Sequence, residues 1–82
     1  MLNLDSSADE DLLKFSLKYA NGNNARDLGV SKDTAKVLAR YAGVRWLSRT
    51  YRREGDVQTA ARLETLGDAL YMRIPVEARW SS

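Results

Sequence analysis

The sequence predicts an all-α fold, a small single-domain bundle of four to five helices with a helix-turn-helix-like element and a C-terminal αα-hairpin. Three observations predict the class: apolar residues recur at spacings of three and four, no stretch sustains strand-like alternation, and the single proline, Pro75, lies near the C-terminal end. With 82 residues, the chain reads as one domain, 1–82, near the size at which a single core only just outweighs ordering entropy. Residues 1–6 and 76–82 fall outside the periodic pattern and are expected to be flexible or loosely packed ends.

The first helix is expected to begin at Ser7, because Ser7-Ala8-Asp9-Glu10 has capping-box spacing and an acidic first turn suits the helix dipole. Leu12, Phe15 and Tyr19 give it one face to bury, and Asn21-Gly22 supplies its stop. Asn23-Asn24 can start a short helix through Leu28. Gly29 suits a tight turn of positive φ, and Ser31 can cap the helix that follows. From Lys32 the pattern runs to Gly55, about six turns, with Gly43 as the weak point or break. One stripe on it is Ala35, Ala39, Ala42, Trp46 and Thr50, beside Leu38. A second is Val37, Tyr41, Val44, Ser48 and Tyr51. Two stripes mean burial on two sides: either neighbouring helices wrap this one, or the second stripe is a homodimer or partner surface. Gly55-Asp56 closes that helix and caps the last, whose seam is Ala60, Leu63, Gly67, Leu70 and Ile74. Pro75 ends it, and Trp80 in the tail either folds back on the core or awaits a partner.

Composition narrows the function classes. The hydrophobic fraction of 44% and the charged fraction of 29% are those of a soluble globular domain, and no apolar run has the length of a membrane span. The N-terminus lacks the pattern of a secretory signal, so a cytoplasmic address is expected. Cysteine and histidine are both absent, which removes disulfides, thiolate metal sites, the commonest metal ligand and the commonest general base. No catalytic carboxylate pair is recognisable, so the expectation is a non-enzyme without metal or cofactor. Charge is strongly segregated behind a net +2. Residues 1–11 carry −4, residues 12–53 carry ten cations against Asp27 and Asp33 for +8, and residues 54–82 carry −2. A basic centre of that size attracts polyanions.

Within that centre, Ala25, Leu28, Gly29, Val30, Ser31, Thr34, Ala35 and Leu38 resemble the helix-turn-helix of bacterial and phage DNA-binding regulators, over residues 21–41. Asn24 departs from the pattern, standing where the family has an apolar residue. The resemblance implies a transcription regulator, of the kind phage or plasmid genomes encode, that binds double-stranded DNA. Its base-facing positions here would be Ser31, Lys32, Asp33, Lys36, Val37 and Arg40, with Arg26, Arg45 and Arg49 adding contacts to the phosphate backbone. Lys32, Lys36 and Arg40 form an i, i+4, i+8 row. A weaker resemblance, carried by Trp46-Leu47-Ser48, Tyr51, Gly55, Ala60, Gly67 and Pro75, is to a single tetratricopeptide-like hairpin over residues 46–75. It implies instead a small adaptor that binds another protein through its apolar stripe and aromatic residues. The basic face offers a related alternative to DNA binding, a protein-interaction module, adaptor or inhibitor, that sets those cations against an acidic surface of a larger host protein. Tyr41, Val44, Tyr51 and Trp80 are the candidate partner or homodimer interface.

Overall fold

The computed structural model describes residues 2–80. Its helices are α1 (Asp9–Tyr19), α2 (Ala25–Leu28), α3 (Lys32–Arg53) and α4 (Val57–Arg73), with 3-10 turns at Leu4–Ser6 and Val76–Ala78. No strand occurs among the described residues. α3 has 22 residues, which at 1.5 Å per residue span about 33 Å. It therefore runs most of the length of a body measuring 38 × 22 × 20 Å.

α3 is the centre of the bundle, with its main contacts to α1 and α4. This accounts for its two apolar stripes. Ala35, Leu38, Ala39 and Ala42 are buried, and so are Tyr41, Val44 and Ser48. Gly43 does not break the helix. A Cβ there would lie 2.8 Å from Ser16 Oγ of α1, so the missing side chain is what lets α1 come close. The glycine's propensity cost, about 0.5–1 kcal/mol, is outweighed by packing on both faces. Across the hairpin, Gly67 of α4 is buried, and a Cβ there would be in ordinary contact with Arg45 and Val44.

The caps follow the sequence in part. Ser31 Oγ accepts the Thr34 amide at 3.1 Å, and Asp56 Oδ1 accepts the Thr59 amide at 3.1 Å. The expected capping box at Ser7 does not form: α1 begins at Asp9, and its N-cap residue is Ala8, without a side-chain bond. Ser7 instead closes the preceding 3-10 turn, its amide donating to the Leu4 carbonyl. Asn24 also has another task. Its side-chain amide donates to the Lys18 carbonyl at 3.1 Å, so a polar residue stands there because it satisfies the open end of α1.

The ends expected to be flexible or loosely packed, 1–6 and 76–82, are each anchored at particular described residues; Met1, Ser81 and Ser82 lie outside the described chain. Val76, between α4 and the tail, stays 73% exposed, but Leu4 is buried and Trp80 is 5% exposed. The cause is a polar junction centred on Asp5. Its carboxylate accepts from Tyr41 Oη at 2.6 Å and from Trp80 Nε1 at 2.9 Å. Trp80 also packs edge-on to Tyr41 and Tyr71, and the Tyr71 hydroxyl donates to the Trp80 carbonyl. Chain positions 75 residues apart are thus tied together over the middle of α3.

Candidate nucleic-acid interface

The α2–α3 connection is built by one glycine and one serine. Gly29 ends α2 in the left-handed region at φ 69°, and its amide donates back to Ala25 and Arg26 carbonyls. Two residues later Ser31 starts α3 in extended conformation. α2 is therefore a single turn packed against α3, in the order the helix-turn-helix resemblance implies.

The N-terminal half of α3 presents Lys32, Asp33, Lys36 and Arg40 to solvent, with Arg26 exposed on α2. Among the described residues Lys32, Lys36 and Arg40 have no ion-pair partner within 4.0 Å. Val37 is half-buried between Lys36 and Leu38. Ser31 is exposed, but its hydroxyl accepts the Thr34 amide and donates to Thr34 Oγ1 at 3.0 Å. It serves the helix cap, which occupies its proton and one of its two lone pairs.

The C-terminal half of α3 is different. Arg45 and Arg49, expected at phosphates, are turned inward. Arg49 Nη1 donates to the Ser7 carbonyl at 2.6 Å and to Asp9 Oδ1 at 3.1 Å, and Nη2 donates to the Asp5 carbonyl at 2.9 Å. Arg45 Nε lies 3.3 Å from Asp5 Oδ1 but is not aligned for a hydrogen bond, so that contact is coulombic. Its guanidinium also covers the Tyr41 ring. Arg52 pairs with Glu64 and Arg53 with Asp9. Arg45 and Arg49 tie the N-terminal turn to α3, Arg52 and Arg53 form exposed pairs, and among the described residues the unpaired exposed cations of α3 are those from Lys32 to Arg40.

The acids opposite them respond. Partial burial pushes the Asp5 carboxyl up, but the Tyr41 and Trp80 hydrogen bonds and the Arg45 and Arg49 charges together hold it below the ordinary carboxylate range. Asp9 is likewise held low, chiefly by the Arg49 hydrogen bond against a smaller desolvation effect, with Arg53 adding to it. Burial, then the bond to Asp5, pushes the Tyr41 hydroxyl well above its usual range.

The expected partner surface is corrected on the same grounds. Tyr41, Val44 and Trp80 are buried within the single chain, covered by α4 and the tail, and Tyr51 is half-buried. Their stripe is the inner seam of the bundle.

Two residues that sequence reasoning missed join the exposed row. Ser16 of α1 and Arg73 of α4 line a groove of about 590 Å³ with Asp33, Lys36, Val37 and Arg40. A signal for Arg73 was present: an antiparallel hairpin turning at Gly55 places position 73 opposite position 37, each 18 residues from the turn. Among the described residues no group of three or more acidic residues is placed to hold a metal ion, and no helix is long and apolar enough to cross a membrane. No protein-family model, curated protein or solved structure matches the chain.

Proposed function

We propose that the chain is a small DNA-binding regulator that engages duplex DNA through α2, the Gly29 turn and the N-terminal half of α3. The observation that carries this reading is the exposed row Lys32, Lys36 and Arg40, without ion-pair partners among the described residues, at the start of a capped helix that follows a one-turn helix. Lysine and arginine at that spacing suit phosphates and guanine edges, and Arg26 adds a cation from α2. Asp33 accepts from a cytosine amino group if the helix enters the major groove. Arg45 and Arg49 are not part of this surface.

A salt titration of duplex binding tests the proposal. Log affinity falls linearly with log salt, by about 0.9 per phosphate neutralised, and Lys36→Ala lowers that slope by about one. Absence of duplex binding at low salt overturns the reading. The competing reading is an acidic protein surface seated on the same cations. It is the one left if a complex survives nuclease treatment while purified duplex fails to bind.

A further inference from the structure

The groove beside the basic row differs from an ordinary cationic helix face in being walled. α1 contributes Ser16, with Ala20 just past its end, α4 contributes Leu70 and Arg73, and α3 contributes Val37 flanked by Lys36 and Arg40. Its volume, about 590 Å³, lies inside the range of roughly 300–1,000 Å³ for small-molecule sites.

Three cations from two helices meet in this groove, and none has an ion-pair partner among the described residues. Arg73 sits in the last turn of α4, where a cation would ordinarily serve the terminal carbonyls. Here Arg79 does that, its Nε donating to the Ile74 carbonyl and its Nη2 to the Met72 carbonyl, each at 2.8 Å. Arg73 is left to the groove. Like charges lining one concavity repel one another, and a multiply charged anion relieves that repulsion. Asp33 reduces the balance to +2 and supplies an acceptor for a hydroxyl or amino group. Half-buried Val37 and the edge of Leu70, 4% exposed, supply the groove's apolar lining.

We infer that the groove binds a small organic phosphate, with the phosphate at Lys36, Arg40 and Arg73 and the apolar or planar body over Val37 and Leu70. Mononucleotides have this chemistry. The inference stands apart from duplex recognition, because it concerns a small ligand and draws on Arg73 and the walls of α1 and α4. Lys36 and Arg40 belong to both surfaces, so a filled groove competes with polyanion binding there.

Calorimetric titration of the full chain at low salt, with ATP and separately with inorganic triphosphate, decides the matter without nucleic acid present. ATP binds at one site and more tightly than triphosphate. Arg40→Gln and Arg73→Gln each weaken it about tenfold, the effect of losing a hydrogen bond to a charged group, whereas Arg62→Gln, an equal charge change on α4 outside the groove, leaves it unchanged. Circular dichroism of each variant checks that the helices remain. The inference is overturned if ATP gives no binding heat, if triphosphate binds as well as ATP, or if Arg62→Gln weakens binding as much as Arg73→Gln.

Discussion

Replacing Asp5 by alanine tests the claim that a surface-rooted carboxylate holds both ends of the chain. The substitution removes the acceptor for Tyr41 Oη and Trp80 Nε1 and the counter-charge of Arg45. A hydrogen bond to a charged group contributes about 1.5–3 kcal/mol, so two give about 3–6 kcal/mol before allowance for exposure. The Asp5 side chain is 27% exposed and Arg45 25%, so water and screening recover part of that. The net loss expected is about 2–3 kcal/mol, and at 4–8 °C per kcal/mol for a domain of this size the melting temperature falls by roughly 10–20 °C. pH gives an independent check. Because the native carboxyl titrates below its unfolded value near 3.8, its stabilisation is fully present above that value and drains away as pH falls through the lower, native one. Thermal unfolding followed by circular dichroism at pH 7 and at pH 3 measures both effects. Asp9 and Asp56 titrate low as well, so the acid-sensitive part assigned to Asp5 is the difference between wild type and variant, which narrows toward pH 3. A variant within 0.5 kcal/mol of wild type, about the ordinary scatter of surface substitutions, with an unchanged acid profile would refute the account of the junction.

Further outcomes follow from the packing of α3. Leu38→Ala removes a side chain 1% exposed and is expected to cost about 2–5 kcal/mol, read as a lowered denaturant midpoint at constant m. Gly43→Ala is expected to be close to neutral, since the helix propensity gained is offset by displacement of Ser16 Oγ from 2.8 Å. In a Ser16→Ala background the same change stabilises by about 0.5–1 kcal/mol, measured by urea unfolding, and destabilisation in that background would show that backbone, not the hydroxyl, fills the space.

The helices were legible because their signals are local. Leu12 and Tyr19, the two stripes of α3 and the Ala60–Gly67–Leu70 seam are readable from spacing alone, and the caps at Ser31 and Asp56 from residue type. The ends were not legible, because what orders them is non-local: nothing near Asp5 in sequence announces Tyr41, Arg45 or Trp80. The Ser7 capping box failed for the same reason. Its spacing is correct, but the 3-10 turn at Leu4–Ser6 takes Ser7 as its own terminus while Arg49 fixes the Ser7 carbonyl. Charge counting placed the basic segment correctly but not which of its cations stay unpaired. A run of cations in sequence carries no record of which acids fold back onto it, and Asp5 and Asp9 arrive from 40 residues away.

With the proposed function, that distribution assigns stability and binding to different halves of one helix. Arg49 holds two backbone carbonyls and Asp9, so Arg49→Gln is expected to lower stability by about 1–2 kcal/mol, with its partial exposure allowed for, and to leave duplex affinity unaltered in the folded protein. Lys36→Ala does the reverse, weakening duplex binding at little cost to folding, because its side chain is exposed and unpaired among the described residues. The two positions are 13 residues apart on α3, about 20 Å at 1.5 Å per residue, well beyond a Debye length of about 8 Å at physiological salt. Without a shared partner at that distance, their effects should add within about 0.3–0.5 kcal/mol in the double variant, in stability and in binding alike. Stability of the four proteins by urea unfolding, and affinity for one duplex at fixed salt, complete the cycle. A coupling above 1 kcal/mol in either quantity would mean that the arginines clamping the N-terminal turn also set the surface proposed to face DNA, and the division of the helix would have to be abandoned.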